Sequence, residues 1–312
     1  MNAFGRKWLG AVSVLAVVPE RTTTEWPTVG LMVLCYAGLG LALFVAPTWV
    51  AIIMLGPLIA FHASLTHEVV HGHPFAHQTL NAALVFPSTT LVVPYARFRA
   101  THLAHHQDEH LTDPYDDPES NYLDPSVWGQ LAGPVQAVLR FNNTLGGRLI
   151  VGPLIGQIAW MMSDWRACCA GDRAVLKGWL AHIPALALML AVIWVAPLPF
   201  LAYAFGAYFG LSLLRLRTFL EHRAHESPRA RTVVIEDRGP LALLFLNNNF
   251  HVVHHMHPNV AWYKLPALYG GNKGHYLRRN DGYRYASYAQ VLRHYFWRAK
   301  DPVPHPLWRN GE

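Results

Sequence analysis

Charge is scarce in this chain: 14% of its 312 residues are Asp, Glu, Lys or Arg, against about 25% in a typical soluble domain. So little charge cannot cover a water-facing globule of this length, and lipid is expected around much of the surface. Cysteine is scarce too. Cys35 lies in an apolar run, and Cys168 and Cys169 are adjacent. That excludes a disulfide framework and fits a reduced, cytoplasm-facing polar part. There is no G-x-G-x-x-G fingerprint and no fused haem or iron–sulfur motif, so the chain brings no electron source of its own. No cleavable signal peptide is evident; Trp8–Val18 is short and reads as an amphipathic lead-in helix. The formal net charge is +6, but Arg6 and Lys7, Arg97 and Arg99, and Arg215, Arg217 and Arg223 flank apolar stretches. This is the pattern of membrane orientation rather than of a nucleic-acid groove.

Histidine, by contrast, is abundant. There are 19, and fifteen fall within His62–His110 and His222–His257.

Four apolar stretches are expected to span a bilayer: residues 29–46, 49–65, 176–196 and 200–216. The first two form a hairpin through Pro47 and the last two a hairpin through Pro197 and Pro199. Neither turn carries Lys or Arg, whereas the other ends do, so both turns are expected outside and the histidines on the cytoplasmic side. Leu80–Val93 and Leu149–Met162 are shorter and read as re-entrant or interfacial segments. The expected fold is therefore an all-α integral membrane protein of one domain, 1–312. Residues 66–175 and 217–312 are expected to form a cytoplasmic helical cap that contains the histidine clusters. Residues 108–124 read as an acidic loop, and the chain beyond Asn259 as a polar, aromatic tail on the membrane surface.

The histidines are patterned. His67-Glu68-Val69-Val70-His71 is an HxxxH box, and His102-Leu103-Ala104-His105-His106 and His251-Val252-Val253-His254-His255 are HxxHH boxes. Glu221-His222-Arg223-Ala224-His225 follows the fourth apolar stretch. Positions i, i+3 and i+4 share a helix face, so each HxxHH box is expected to aim three imidazoles at one point and HxxxH two. A zinc ion takes about four ligands; eight or nine imidazoles suit two ions, and neutral imidazole suits iron. His62, His73, His77, His110 and His257 are expected around the centre or on the surface, and His182 as a satisfied buried histidine. The first box also matches H-E-x-x-H, the zinc-metalloprotease pattern. That alternative leaves both HxxHH boxes unexplained.

The three boxes, with this spacing, resemble the integral-membrane fatty acid desaturase and hydroxylase superfamily. Thr218–His222 and Asn247–Phe250 are similar to the corresponding region of its bacterial members. The resemblance covers about residues 30–270 and is specific to the superfamily rather than to a substrate. It implies a mushroom-shaped fold in the bacterial inner membrane and a di-iron centre. The ligands it implies are His67, His71, His102, His105, His106, His251, His254 and His255, with His222 as the ninth and His225 in reserve. Glu68 departs from some members, and Glu221 and Asn247 are candidates to orient a ligand. The implied reaction consumes O2 and oxidises an unactivated C–H bond. An acyl-chain desaturase comes first, a hydroxylase or ketolase of an alkane, sterol or carotenoid second, and a small amphiphilic metabolite is a further substrate class. A separate ferredoxin, rubredoxin or cytochrome-type donor is expected, with Lys273, Arg278 and Arg279 as a landing surface or headgroup contact. A receptor keeping the boxes as relics should have lost ligands, yet every box is complete.

Overall fold

The computed structural model describes residues 24–308; the segment Trp8–Val18 lies outside them. The described chain is mostly helical. In order the helices are α1 (Trp26–Phe44), α2 (Thr48–Val70), α3 (Gln78–Leu84), α4 (Tyr95–His105), α5 (Pro125–Gln130), α6 (Gly133–Asn142), α7 (Leu145–Ile150) and α8 (Gly152–Cys169). They continue with α9 (Arg173–Val195), α10 (Phe200–Thr218), α11 (Pro240–Leu244), α12 (His251–Met256), α13 (Leu265–Gly271), α14 (Lys273–Arg279) and α15 (Tyr288–Tyr295). The sheet is a two-residue parallel pairing of β1 (Val234–Ile235) with β2 (Arg284–Tyr285).

Among the described residues, three helices are long and apolar enough to cross a membrane: α1, α2 and α9. Their outer faces carry large bare apolar side chains, Trp194 being 89% exposed, as a lipid-facing surface requires. The fourth expected span, α10, is less apolar because Arg215 and Arg217 occupy its last turn. It nevertheless lies against α2 through small residues. A Cβ on Gly206 would sit 2.5 Å from Leu55 Cβ, one on Gly210 2.9 Å from Ile59 Cβ, and one on Gly56 2.0 Å from Phe209. Small residues let membrane helices approach this closely. Both partners advance by four residues between Leu55–Gly206 and Ile59–Gly210, so α2 and α10 run parallel. The turns before them, at Pro47 and Pro199, therefore lie at one end of the bundle, and the histidines at the other.

The second span runs farther than the hydropathy pattern suggests: α2 continues to Val70 and carries the first box on its last turn. The sequence also stops the helix. Gly72 has φ +84°, its N–H bonds Val69 O at 3.0 Å, and the His73 N–H bonds Glu68 O at 3.1 Å. This paired closure needs glycine at the left-handed position, and it leaves His71 at the helix end. Leu149–Met162 lies mostly in one regular helix, α8. A buried ion pair fastens it: Arg97 on α4 grips Asp164 on α8 with two 2.8 Å bonds, and Trp179 Nε1 on α9 donates to the same carboxylate.

The part beyond Asn259 is not a loose tail. Tyr283, Tyr288 and Val291 are buried in a core with Phe219, Leu220 and Ile235. Residues 299–305 cross back over the acidic loop, with Thr144 paired to Ala299 and Leu123 to Pro304. Aromatic residues in that stretch have core to fill, which composition read as surface.

Candidate metal centre

Four pieces of chain meet at the end of the bundle. The end of α2 brings His67 and His71. The α4 helix, begun by Pro94, brings His102, His105 and His106. His222 follows α10 by four residues, held by a bridge to Thr232 and by Lys300 Nζ donating to its carbonyl. The short α12 brings His251, His254 and His255.

The imidazoles sort into two groups, each able to hold a metal ion. One contains His67, His71, His102, His106 and His254; the other contains His105, His222, His251 and His255. Within each, the nitrogens lie within 4.8 Å of one another. His71 Nε2 is 3.0 Å from His102 Nε2, and His106 Nε2 is 3.1 Å from His102 Nε2. His105 Nε2 and His251 Nε2 lie 2.9 and 3.1 Å from His222 Nε2. His225 joins neither group: its ring faces Asp281 at 3.4 Å and accepts the Ser227 N–H.

No HxxHH box aims all three rings at one point, which corrects the expectation from spacing. Each box is split. On α4, His102 and His106 serve one group and His105 the other; on α12, His251 and His255 serve one and His254 the other. At 3.6 residues per turn, i and i+4 lie about 40° apart around the helix, while i+3 lies about 100° from i+4. The i, i+4 pair therefore shares a target, and i+3 reaches the neighbouring one.

The far edges of three rings are anchored. His105 Nδ1 bonds Asp117 at 2.8 Å and His102 Nδ1 bonds Glu119 at 2.9 Å. His251 Nδ1 faces Asn248 Oδ1 at 3.2 Å. Glu221 lies behind, accepting from Asn248 Nδ2 at 3.0 Å and held by Arg217 at 3.2 Å. Fixing Nδ1 in this way presents Nε2 inward, the usual architecture around a metal-binding histidine. Asp117, Glu119 and Asn248 were not singled out from sequence. The acidic stretch 108–124 that follows the HxxHH box was the available signal, though it holds further carboxylates besides these two. Asn247, expected one helical turn before His251, instead donates to Trp262 O at 3.2 Å. Its φ of +54° and the start of α12 only at His251 break the i, i+4 relation.

Burial, reinforced by the neighbouring imidazoles, holds His71, His106, His222, His251 and His254 well below the ordinary histidine range. They are neutral, as ligation requires. At His105 burial also opposes charge, but Glu119 and Asp117 outweigh it and raise the group to about 9. His67 Nε2 is buried with no hydrogen-bond partner, a costly state that a cation in the five-histidine group would relieve.

Glu68 lies 3.7 Å from His67 Nδ1 and accepts the Trp262 N–H at 3.3 Å, so it stands on the outer edge of the ring. His73, which bonds Glu25 at 2.7 Å, lies behind it. His62 is satisfied inside the bundle by Tyr36 and Thr89, and His182 by Leu91 O. His257 bonds Tyr276, and His77 and His110 are outside both groups.

Apolar helices that deliver paired histidine groups at one end define the class of histidine-box membrane proteins. Comparison with known proteins agrees. The fatty acid desaturase family model matches residues 27–290, and the chain belongs to that family. It is also similar to a beta-carotene ketolase of Paracoccus sp. (strain N81106 / MBIC 01143), 27% identical over 234 residues that cover 73% of this chain and 78% of the ketolase. The protein is an oxygen-dependent oxidoreductase of the membrane. With that family and the outward placement of Glu68, the metalloprotease alternative has no support.

Proposed function

We propose that the nine histidines hold two irons, five ligands to one and four to the other, and that the enzyme inserts oxygen at an unactivated C–H bond of an apolar substrate. The convergence of the nine rings carries this reading. The donor set fits: all nine are imidazoles, the outer nitrogens of His102, His105 and His251 are tied to Glu119, Asp117 and Asn248, and the inner nitrogen of His67 lies buried without a partner. Imidazole accepts several first-row metals; iron is favoured because the reaction needs a redox-active ion and the family uses a di-iron centre. Bound there, the ions would supply the dioxygen-reducing chemistry that removes a hydrogen atom from carbon. The protein's own part is to fix nine ring orientations, and to keep water away by burying most of them.

Oxygenation is placed before desaturation because of the ketolase relative, and a carotenoid or similarly apolar molecule is the substrate class it suggests. Desaturation of an acyl chain is the second reading, favoured by the family itself. An apolar cleft of about 350 Å³ lies beside α4; its lining includes Ala82, Ala83, Ala96, Ala181 and Ala185, with Thr79, Ser88, Tyr95 and His182 as polar points. In this reading α1, α2, α9 and α10 all span the inner membrane, and the centre and the cap, within one domain, face the cytoplasm. The uncharged turns at Pro47 and Pro197–Pro199 support that orientation.

The test is expression in a bacterial host that makes both carotenoids and fatty acids, with wild type compared against His254→Ala. Elemental analysis is expected to find about two irons per chain. Mass spectrometry is expected to find a lipid that gains one oxygen, with or without loss of two hydrogens. Loss of two hydrogens alone selects the desaturase reading. One zinc and no iron in active protein defeats both.

A further inference from the structure

We propose that the exposed face formed by α14 and the turn leading into α13 docks a small acidic protein that carries one electron at a time. This rests on the oxidative reading above and names its partner. The balance of the reaction calls for such a partner: R–H + O2 + 2 e⁻ + 2 H⁺ gives R–OH + H2O. Two of the four electrons that reduce dioxygen come from the carbon. The other two come from two reduced carriers, each oxidised by one electron.

Charge points to α14. Between residues 264 and 300 there are eight Lys or Arg and a single acidic residue, Asp281, so this stretch carries +7 and the rest of the chain, at a total of +6, is close to neutral. Lys264, Lys273 and Arg278 are exposed and Arg279 is half-buried. Glu236 answers part of this charge, lying 2.5 Å from Lys273 and 2.8 Å from Arg284. A basic rim of this kind attracts an acidic partner and speeds encounter.

Anionic lipid headgroups share that preference, and exposed apolar side chains separate the two cases. Segments that lie on membranes pair basic residues with Trp or Phe. The chain does this at Phe296 and Trp297, the latter 70% exposed, beside Arg293 and Arg298. Around α13 and α14, from residue 244 to 295, no large apolar side chain is exposed among the described residues. The α14 face is basic without an apolar anchor, which suits a soluble protein.

Position completes the case. The buried side of α14 packs Tyr276 with Tyr269, Phe250, Val252 and Val253 of the α12 region. Tyr276 Oη is 3.1 Å from His257 Nε2, and His257 follows His255 by two residues. A carrier seated on α14 is separated from His254 and His255 by this one packed layer.

The experiment uses iron-loaded, full-length protein in neutral micelles, with a plant-type [2Fe–2S] ferredoxin as the acidic probe. The rate at which reduced ferredoxin is oxidised by the ferric protein is followed without oxygen. Lys264→Glu with Arg278→Glu is expected to lower the second-order rate constant about tenfold, while reduction by methyl viologen is unchanged. The paired Gln variant is expected to fall between, and added salt to bring all three together. Arg293→Glu with Arg298→Glu is expected to spare ferredoxin oxidation and to weaken flotation with phosphatidylserine vesicles. An unchanged ferredoxin rate in an iron-loaded, viologen-reducible Glu variant overturns the docking face. So does loss of vesicle binding by that variant without a change in rate, which assigns α14 to lipid. Protein that binds no iron overturns the oxidative reading and, with it, this one.

Discussion

The two histidine groups are built from the same helices in opposite proportion. The α4 helix gives two rings to the five-membered group and one to the other; α12 does the reverse. What differs is the remaining support. The five-membered group is completed by His67 and His71, carried on the last turn and the end of a 23-residue helix. The four-membered group is completed by His222 alone, in chain that has already left α10. One group thus inherits the rigidity of a membrane helix, whereas the other depends on loop anchors. Helix-borne sites hold geometry better than loop-borne ones, so the four-histidine group is the weaker half.

The largest effect expected from this asymmetry comes from removing the lone ring that a box lends across. His105→Ala leaves three histidines in the weaker group and frees Asp117 from its partner; His254→Ala leaves four in the stronger. Under the two-iron reading, His105→Ala is expected to bring iron from about two to about one per chain, and His254→Ala to retain more. Product formation is expected to fall at least about a hundredfold in both. Elemental analysis and mass spectrometry read the two quantities. Equal iron loss in the two variants would break the comparison.

Next are the carboxylates behind the α4 rings. Asp117 holds a ring of the weaker group and Glu119 a ring of the stronger, from one loop and two residues apart. Side-chain exposure is 2% for Asp117 and 27% for Glu119, so water can replace the second more easily than the first. Asp117→Asn is expected to weaken iron binding about 10- to 100-fold, and Glu119→Gln by about tenfold or less. Competition with a chelator of known affinity measures both. A larger loss for Glu119→Gln would reverse the ranking of the two groups.

How far the sequence announced this site depends on the range of the signal. The boxes repeat at helical spacing and were legible at once. So were the two hairpins, because Pro47 and Pro197–Pro199 interrupt long uncharged runs. The division of each box between two targets was not read, although the 40° and 100° separations were available in the spacing; three neighbours were treated as one face. The anchoring of His102 and His105 by Glu119 and Asp117 was hidden for a different reason. Those bonds span 17 and 12 residues through an irregular loop, and no local periodicity reports such a contact. Beyond Asn259 composition misled. Tyr283, Tyr288 and Trp262 look interfacial in a basic stretch, yet their rings are buried: Tyr283 and Tyr288 fill the cap core, the Tyr283 hydroxyl bonding Leu220 O, and Trp262 joins the core of the α1–α2 hairpin, its indole bonding Thr28 on α1.

The smallest effect, and the one most specific to the weaker group, is expected at Lys300. Its ammonium donates to the His222 carbonyl, in a strap whose neighbour Asp301 meets the Tyr122 hydroxyl. Burial pushes this lysine down to about 8, against the raising influence of Asp301, so its charge is held at a cost that the carbonyl and Asp301 must offset. Lys300→Met keeps the packed stem and removes the donor. The His222 backbone then loses one of its anchors, while the Thr232 bridge remains. Under the two-iron reading, the variant is expected to release one iron to a chelator severalfold faster than wild type, roughly the net worth of one hydrogen bond, about 1 kcal/mol. The second iron is expected to leave at the wild-type rate, because no part of the five-histidine group touches the strap. Biphasic release with only the fast phase altered sharpens the contrast between the groups. A single phase, accelerated as a whole, would mean that the shared α4 and α12 helices transmit the loss and that the two halves fail together.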